Sequence, residues 1–257
     1  MNWMKKVAVA LVCLLPLGLQ AAKVDTLQVK SPSMNKSIEV VVVSPDVAAT
    51  KACPVIYLLH GYGGNARTWV GIKPDLPKIA DEKGIFFVCP DGKNTWYWDS
   101  PLNADVRYET FISNELVKYV DSHYKTVADR KGRAITGLSM GGHGAMWNGL
   151  RHSDVFSAAG STSGGVDIRP FPKNWEKYTV INLVPTLRKD QIALIFDCGD
   201  SDFFLEVNKN YHEALLKQGI DHDFITRPGN HDSQYWNNSI DYQILFFWKH
   251  FLKMKAL

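Results

Sequence analysis

Gly137-Leu138-Ser139-Met140-Gly141 follows the β-branched run Ala134-Ile135-Thr136 and leads into helix formers from His143 to Arg151. This is the pattern of a strand-to-helix turn that lifts a nucleophilic hydroxyl clear of a sheet. A turn that sharp strains the serine backbone, and side chains two positions to either side would collide, so both positions are glycine. The chemistry implied is ester hydrolysis or acyl transfer. A serine hydroxyl is a weak nucleophile at neutral pH; it needs a histidine to take its proton and a carboxylate to hold the imidazole in one tautomer. In this kind of site the chain order is Ser, acid, His.

Downstream of Ser139 both partners are available at expected strand ends. The apolar run Ile192 to Asp197 ends in Cys198-Gly199-Asp200-Ser201-Asp202, and Phe224 to Thr226 leads through Arg227-Pro228-Gly229-Asn230 to His231. Loops at the carboxyl ends of parallel strands converge on one edge of a sheet. His231 is therefore the candidate base, with the acid at Asp200 or Asp202. Each feature has a plainer interpretation as helix entry, N-cap or solvated turn. Their occurrence in the required order, each after a strand, favours the catalytic one.

A tetrahedral intermediate also needs amide donors for its oxyanion. One is the residue after the nucleophile, Met140, and the other comes from the loop after an early strand. His60-Gly61-Tyr62-Gly63-Gly64 is such a loop, and Tyr62 is assigned as the second donor. His60 itself is expected to be structural, and His143 lies too close to the turn to be the base. His123, His152, His212, His222 and His250 are expected to be solvated.

The elements that must hold these residues follow from hydrophobic period. Short β-branched runs alternate with helical segments, the pattern of a mostly parallel central sheet with helices on both faces. Val24–Val29 and Ile38–Val43 are expected to form an N-terminal antiparallel hairpin. Strands then follow at Val55–Leu59, Ile85–Cys89, Ala134–Thr136, Phe156–Gly160, Ile192–Asp197 and Phe224–Thr226. Helices are expected at Pro74–Lys83, Tyr108–Tyr124, Leu205–Gln218 and Ile240–Leu252. The irregular stretch near 164–190, with Pro170, Pro172, Trp175 and Pro185, is too long for a simple connection and reads as a cap-like insert.

With 257 residues, 46% of them hydrophobic and 12% aromatic, the chain fits one α/β domain over 23–257. Residues 1–22 read as a secretory signal peptide: Lys5 and Lys6 precede the apolar stretch Val7–Leu19, which ends in Gln20-Ala21-Ala22. The stretch is too short to span a membrane, so a secreted or periplasmic chain with no stable membrane anchor is expected. Val12 before Cys13 argues against lipidation. Loss of the two lysines lowers the formal charge from +3 to +1, which leaves no basic patch for nucleic acid. Cys53, Cys89 and Cys198 read as core thiols, with a Cys53–Cys89 bridge open as an alternative. No C-x-x-C or His-rich spacing suggests a metal, and no cofactor is implied.

Taken together, Leu58-Leu-His-Gly-Tyr-Gly-Gly64, Trp96-Tyr-Trp-Asp-Ser-Pro101, Arg107-Tyr-Glu-Thr110, Gly137-Leu-Ser-Met-Gly-Gly142, Cys198-Gly-Asp-Ser-Asp-Phe203 and Gly229-Asn-His-Asp232 resemble the esterase D-like family of α/β-hydrolases. That family includes tributyrin, feruloyl and acetyl-xylan esterases, S-formylglutathione hydrolases and mycolyltransferases. The resemblance covers nearly the whole mature chain. It implies an α/β-hydrolase fold, Ser139 as nucleophile, His231 as base, and Tyr62 and Met140 as oxyanion donors. It also implies that the acid is Asp202, the last aspartate before the paired aromatics. The chain lacks the Thr-Cys pair that S-formylglutathione hydrolases carry after their oxyanion glycine, which argues against a glutathione thioester.

Trp96, Tyr97 and Trp98 follow a strand end near the expected site, and Trp69, Trp175 and Trp236 could join them. Trp96 and Trp98 are assigned as substrate-binding, their faces suited to a sugar ring or a phenolic acyl group; core packing is the alternative. The expected activity is that of a secreted serine esterase acting on small-molecule or oligosaccharide esters, with acetyl or feruloyl esters of carbohydrate foremost. An acyltransferase of the same fold and a non-catalytic carbohydrate-binding protein are the alternatives. A complete Ser139, Asp202 and His231 set argues against the second.

Overall fold

Two nine-residue strands, β1 (Lys23–Ser31) and β2 (Lys36–Ser44), pair antiparallel around a short 3-10 turn in the computed structural model. Asn35, in the left-handed region at φ 48°, completes that reversal. The structure describes residues 22–169, 171 and 173–257. All of the expected signal peptide except Ala22 lies outside the described residues, as do Pro170 and Pro172.

After the hairpin, strands and helices alternate. The order is β3 (Val55–Leu59), α1 (Thr68–Ile72), α2 (Leu76–Lys83), β4 (Phe86–Pro90), α3 (Tyr108–Thr110), α4 (Val117–His123), β5 (Arg133–Gly137), α5 (Met140–Arg151), β6 (Ala158–Thr162), β7 (Ala193–Gly199), α6 (Leu205–Gln218), β8 (Asp223–Arg227) and α7 (Ser233–Lys253). The eight strands form one sheet in the order β1-β2-β4-β3-β5-β6-β7-β8. Only the β1/β2 and β2/β4 pairs are antiparallel. This is the mostly parallel sheet that the pattern of short runs implied, and the α/β-hydrolase fold that the family resemblance implied.

The central strands are short and buried on both faces, which explains their continuous rather than alternating apolar sequence. Val40, Val42, Tyr57, Leu59, Phe86 and Ile135 pack into one core with α3, α4, α5 and α6. Val41, Val43, Ile56, Leu58 and Phe87 face the other, which α1, α2 and α7 cover. Cys53, Cys89 and Cys198 are free and buried, so no Cys53–Cys89 bridge forms.

Several elements differ from the sequence expectation, among them α1, where no helix is expected. The helix expected over Tyr108–Tyr124 is continuous, but Phe111–Leu116 between α3 and α4 is π-wound. There the Ser113 hydroxyl bonds back to the Glu109 carbonyl at 2.6 Å. Helix α7 starts seven residues before Ile240, because its first turn, Ser233-Gln-Tyr-Trp, is too polar to show a hydrophobic period. Its real start signal is Asp232, whose carboxylate accepts the Tyr235 N–H at 2.9 Å. Finally, much of the cap-like insert is core: Val180, Val184 and Leu187 are buried with the α5/α6 face.

Strands β3 and β5 to β8 run parallel, so the loops after them gather at one edge of the sheet. Among the described residues no helix is long and apolar enough to cross a membrane.

Candidate active site

Ser139 sits between β5 and α5 with φ 53° and ψ −116°, a conformation costly for any residue with a side chain. It persists because neighbouring backbone holds it. The Ser139 N–H donates to the Thr162 carbonyl at 3.0 Å, and the Ser139 carbonyl accepts from His143 and Gly165 N–H at 3.1 and 3.3 Å. A Cβ on Gly137 would lie 2.7 Å from the Leu59 carbonyl oxygen, and one on Gly141 would lie 2.6 Å from that of His60. Backbone cannot yield as a side chain can, so both positions flanking Ser139 require glycine.

His231 lies in the loop between β8 and α7. Its Nε2 is 2.9 Å from Ser139 Oγ, and its Nδ1 is 2.9 Å from Asp202 Oδ2. An ionised carboxylate accepts only, so Nδ1 carries the proton and Nε2 is left as the acceptor facing the serine hydroxyl. Burial works against the Asp202 charge, but hydrogen bonds from His231, the Phe204 amide and Ser163 outweigh it and hold the carboxyl below its usual range. Asp200 pairs instead with the Ser201 hydroxyl at 3.0 Å and the Gly229 amide at 3.3 Å. The imidazole is flanked by Phe203, with ring centroids 4.3 Å apart, and by Trp236, edge-on at 5.1 Å.

The loop after β3 lies against the serine. A Cβ on Gly61 would be 3.3 Å from Ser139 Cβ and 2.5 Å from Leu138 Cδ1, so glycine permits this approach without displacing the Leu138 side chain. Four hydrogen bonds brace the loop. His60 Nδ1–H donates to the Gly61 carbonyl at 2.7 Å while Nε2 accepts the Gly92 N–H at 2.9 Å. The Tyr97 hydroxyl donates to the His60 carbonyl at 3.1 Å. Asn94 Oδ1 accepts the Gly63 N–H at 2.7 Å. His60 is thus a structural residue. Among the described residues, no acceptor pairs with the amides of Tyr62 or Met140. Met140 is also the first residue of α5, where the helix dipole favours negative charge.

The two tryptophans assigned to substrate part company. Trp98 is 4% exposed and packs on His143, Phe171 and Tyr178, so it is a core residue and offers no face to a ligand. The cause is the loop backbone and the space beside it: Trp96 and Tyr97 adopt φ 56° and 61°, which turns the loop inward, and side-chain-free Gly92 and Gly144 make room for the Tyr97 ring. Trp96 is only half-buried. Its ring lies 3.0 Å from where a Gly165 Cβ would stand, beside the residue bonded to the Ser139 carbonyl. Trp69 is core, its indole donating to the Leu59 carbonyl, and Trp175 lies under Arg169.

Of the histidines expected to be solvated, only His123 is exposed. His152 bonds to Glu109, His212 to His222, and His250 to Ser157. Their partners come from distant elements, which no local pattern reveals. His143 is fully buried and bonds to the Gly165 carbonyl; burial pulls its pKa down to about 3.

Beneath the site lies a buried polar cluster with no sequence signal of its own. Asp197, within β7, accepts from Thr162 at 2.9 Å, Ser239 at 2.5 Å, Gln243 at 2.7 Å and Arg227 at 3.4 Å. Gln243 also receives the Thr136 hydroxyl. Burial pushes the Asp197 carboxyl up, against these bonds. One side chain thus ties the strands behind Ser139 to the acid strand and to the helix after His231. Ser163, buried at φ 51°, accepts the Trp236 indole at 3.2 Å and supports Asp202. It lies in the Gly-rich tail of β6, and only that polar Ser-Thr-Ser run hinted at it.

A family model named Esterase, described as "Putative esterase", matches residues 31–247. An acetyl esterase of Caldicellulosiruptor saccharolyticus is 27% identical over 214 residues, covering 72% of this chain and 79% of the relative. An endo-1,4-beta-xylanase/feruloyl esterase of Xylanibacter ruminicola is 29% identical over 195 residues, covering 67% of this chain but 24% of that longer protein. Among solved structures, a ferulic acid esterase superposes with a TM-score of 0.79 at 29% identity, covering 90% of this chain and 99% of that one.

Proposed function

Since this chain belongs to the Esterase family and is a carboxylic ester hydrolase, we propose that it is a serine esterase working through Ser139, His231 and Asp202. The hydrogen-bonded line from Asp202 to His231 to Ser139, at 2.9 Å per step, carries this reading. Ser139 Oγ attacks the ester carbonyl carbon while His231 Nε2 takes the hydroxyl proton. The carbonyl oxygen, now anionic, accepts from the Tyr62 and Met140 amides. His231 then gives its proton to the leaving alkoxide, the C–O bond breaks, and an acyl-Ser139 remains. Water attacks that ester with His231 again as base, releasing the acid and restoring the serine. Asp202 stays ionised throughout and holds Nδ1–H.

The proposed substrates are acetyl or hydroxycinnamoyl esters of carbohydrate, supported by likeness to an acetyl esterase and a ferulic acid esterase. The proposed location is outside the cytoplasm, supported by Lys5, Lys6 and the apolar run that follows them. Labelling with a fluorophosphonate probe tests the chemistry. The probe should modify Ser139, and Ser139→Ala should lose labelling and on the order of 10⁶ in kcat while keeping its melting temperature. Wild-type turnover of p-nitrophenyl acetate by that variant would refute the mechanism.

A further inference from the structure

A cavity borders the loop after β3. It measures about 320 Å³ and is lined by Gln28, Ser37, Ile38 and Glu39 of the hairpin, Asn65 and Arg67 of that loop, and Asp91 and Lys93 after β4. We propose that this cleft binds the sugar chain of a carbohydrate ester whose acyl group is attacked at Ser139. The proposal rests on the esterase reading above and names the alcohol half of its substrate.

The chemistry of the walls selects the ligand. Small-molecule sites are mostly apolar with a few polar groups, whereas seven of these eight side chains are polar and only Ile38 is apolar. Two are cationic and two anionic, and Lys93 already pairs with Asp91 at 2.6 Å. Such balance gives no preference for an anion or a cation. Among the described residues the Gln28 amide and the Glu39 carboxylate have no side-chain partner, and Asn65 uses only its Oδ1, on the Arg67 amide. Planar amides and carboxylates with free valences match vicinal hydroxyls, which donate and accept at once. A neutral, hydroxyl-rich chain satisfies all of these groups.

Position supplies the second half of the argument. The loop from Gly61 to Asn65 touches Ser139 at one end and lines the cleft at the other. Four residues span at most about 14 Å, so an oligosaccharide can reach from the nucleophile to the cleft. At the tip of that loop the Tyr62 ring is 67% exposed, a free aromatic face along the path. The cleft floor is tied to the same support, since the Asp91 N–H donates to the Glu39 carbonyl at 2.9 Å and the adjoining Gly92 N–H donates to His60 Nε2 at 2.9 Å.

The test compares acetylated xylotetraose with p-nitrophenyl acetate, which is too small to reach the cleft. The double variant Gln28→Ala/Glu39→Ala should raise KM for the oligosaccharide about tenfold, the effect of losing two net hydrogen bonds, with kcat and all p-nitrophenyl acetate constants unchanged. Ser37→Trp, which fills the cleft from an exposed strand position, should do the same. Unchanged oligosaccharide KM in both variants would overturn the proposal. So would a wild-type enzyme that cleaves p-nitrophenyl acetate but not the acetylated sugar. A wild-type enzyme inactive on both would instead overturn the esterase reading.

Discussion

Asp202→Asn isolates the role of the acid with little change in shape. Asp202 Oδ1 faces the Phe204 N–H at 2.8 Å, so an asparagine must keep its oxygen there and turn its NH₂ toward His231 Nδ1. The imidazole can then only accept at Nδ1, which moves its proton to Nε2. A protonated Nε2 cannot take the Ser139 proton across the 2.9 Å bond. A wrong tautomer of this kind lowers kcat about 10⁴-fold, or about 5.5 kcal/mol of transition-state stabilisation. Asp200→Asn should stay within a few-fold of wild type, because its partners are Ser201 and Gly229. Steady-state kcat on p-nitrophenyl acetate, with melting curves as a folding control, reads both variants. An active Asp202→Asn beside an inactive Asp200→Asn would refute the assignment.

Glu109 should make the fold acid-sensitive. Burial opposes its charge, but bonds from His152, Arg151 and Trp147 prevail and hold its pKa down to about 2, against an ordinary 4.5. A depressed carboxylate stabilises the fold above its unfolded pKa. That contribution, about 3 kcal/mol, should fade as pH falls from 4.5 toward 2, and urea unfolding of wild type and Glu109→Gln across that range checks it. Trp98→Ala should destabilise the fold by about 3–5 kcal/mol through an empty core site and reduce activity alike on small and large esters. A KM effect confined to oligosaccharide esters, with an unchanged melting temperature, would return Trp98 to the substrate.

What could be read from the chain was what backbone geometry demands locally. Gly137 and Gly141 declare the turn at Ser139, and apolar runs such as Val55–Leu59 declare buried parallel strands. Asp202 could be separated from Asp200 only through family resemblance, because residue type and spacing are nearly identical for the two. Trp98 misled because an aromatic residue in a loop looks the same whether it points outward or in. Its direction depends on the φ of Trp96 and Tyr97 and on space left by Gly144, some fifty residues away in sequence. The Asp197 cluster was invisible for a similar reason, since Thr136, Thr162, Ser239 and Gln243 meet only once the sheet and α7 are assembled.

That cluster also constrains how this protein can change over generations. Replacing any one of Asp197, Ser239 or Gln243 with an apolar residue strands a buried polar group, a penalty of roughly 1–3 kcal/mol or more for a charge. Replacing the whole set together with Thr136, Thr162 and Arg227 by well-packed apolar residues carries no such penalty, because no partner is then orphaned. Drift at these positions therefore proceeds by joint exchange rather than by single steps. A library that randomises them one at a time should return mostly the parental residues, while one that randomises them together should recover folded solutions of quite different polarity.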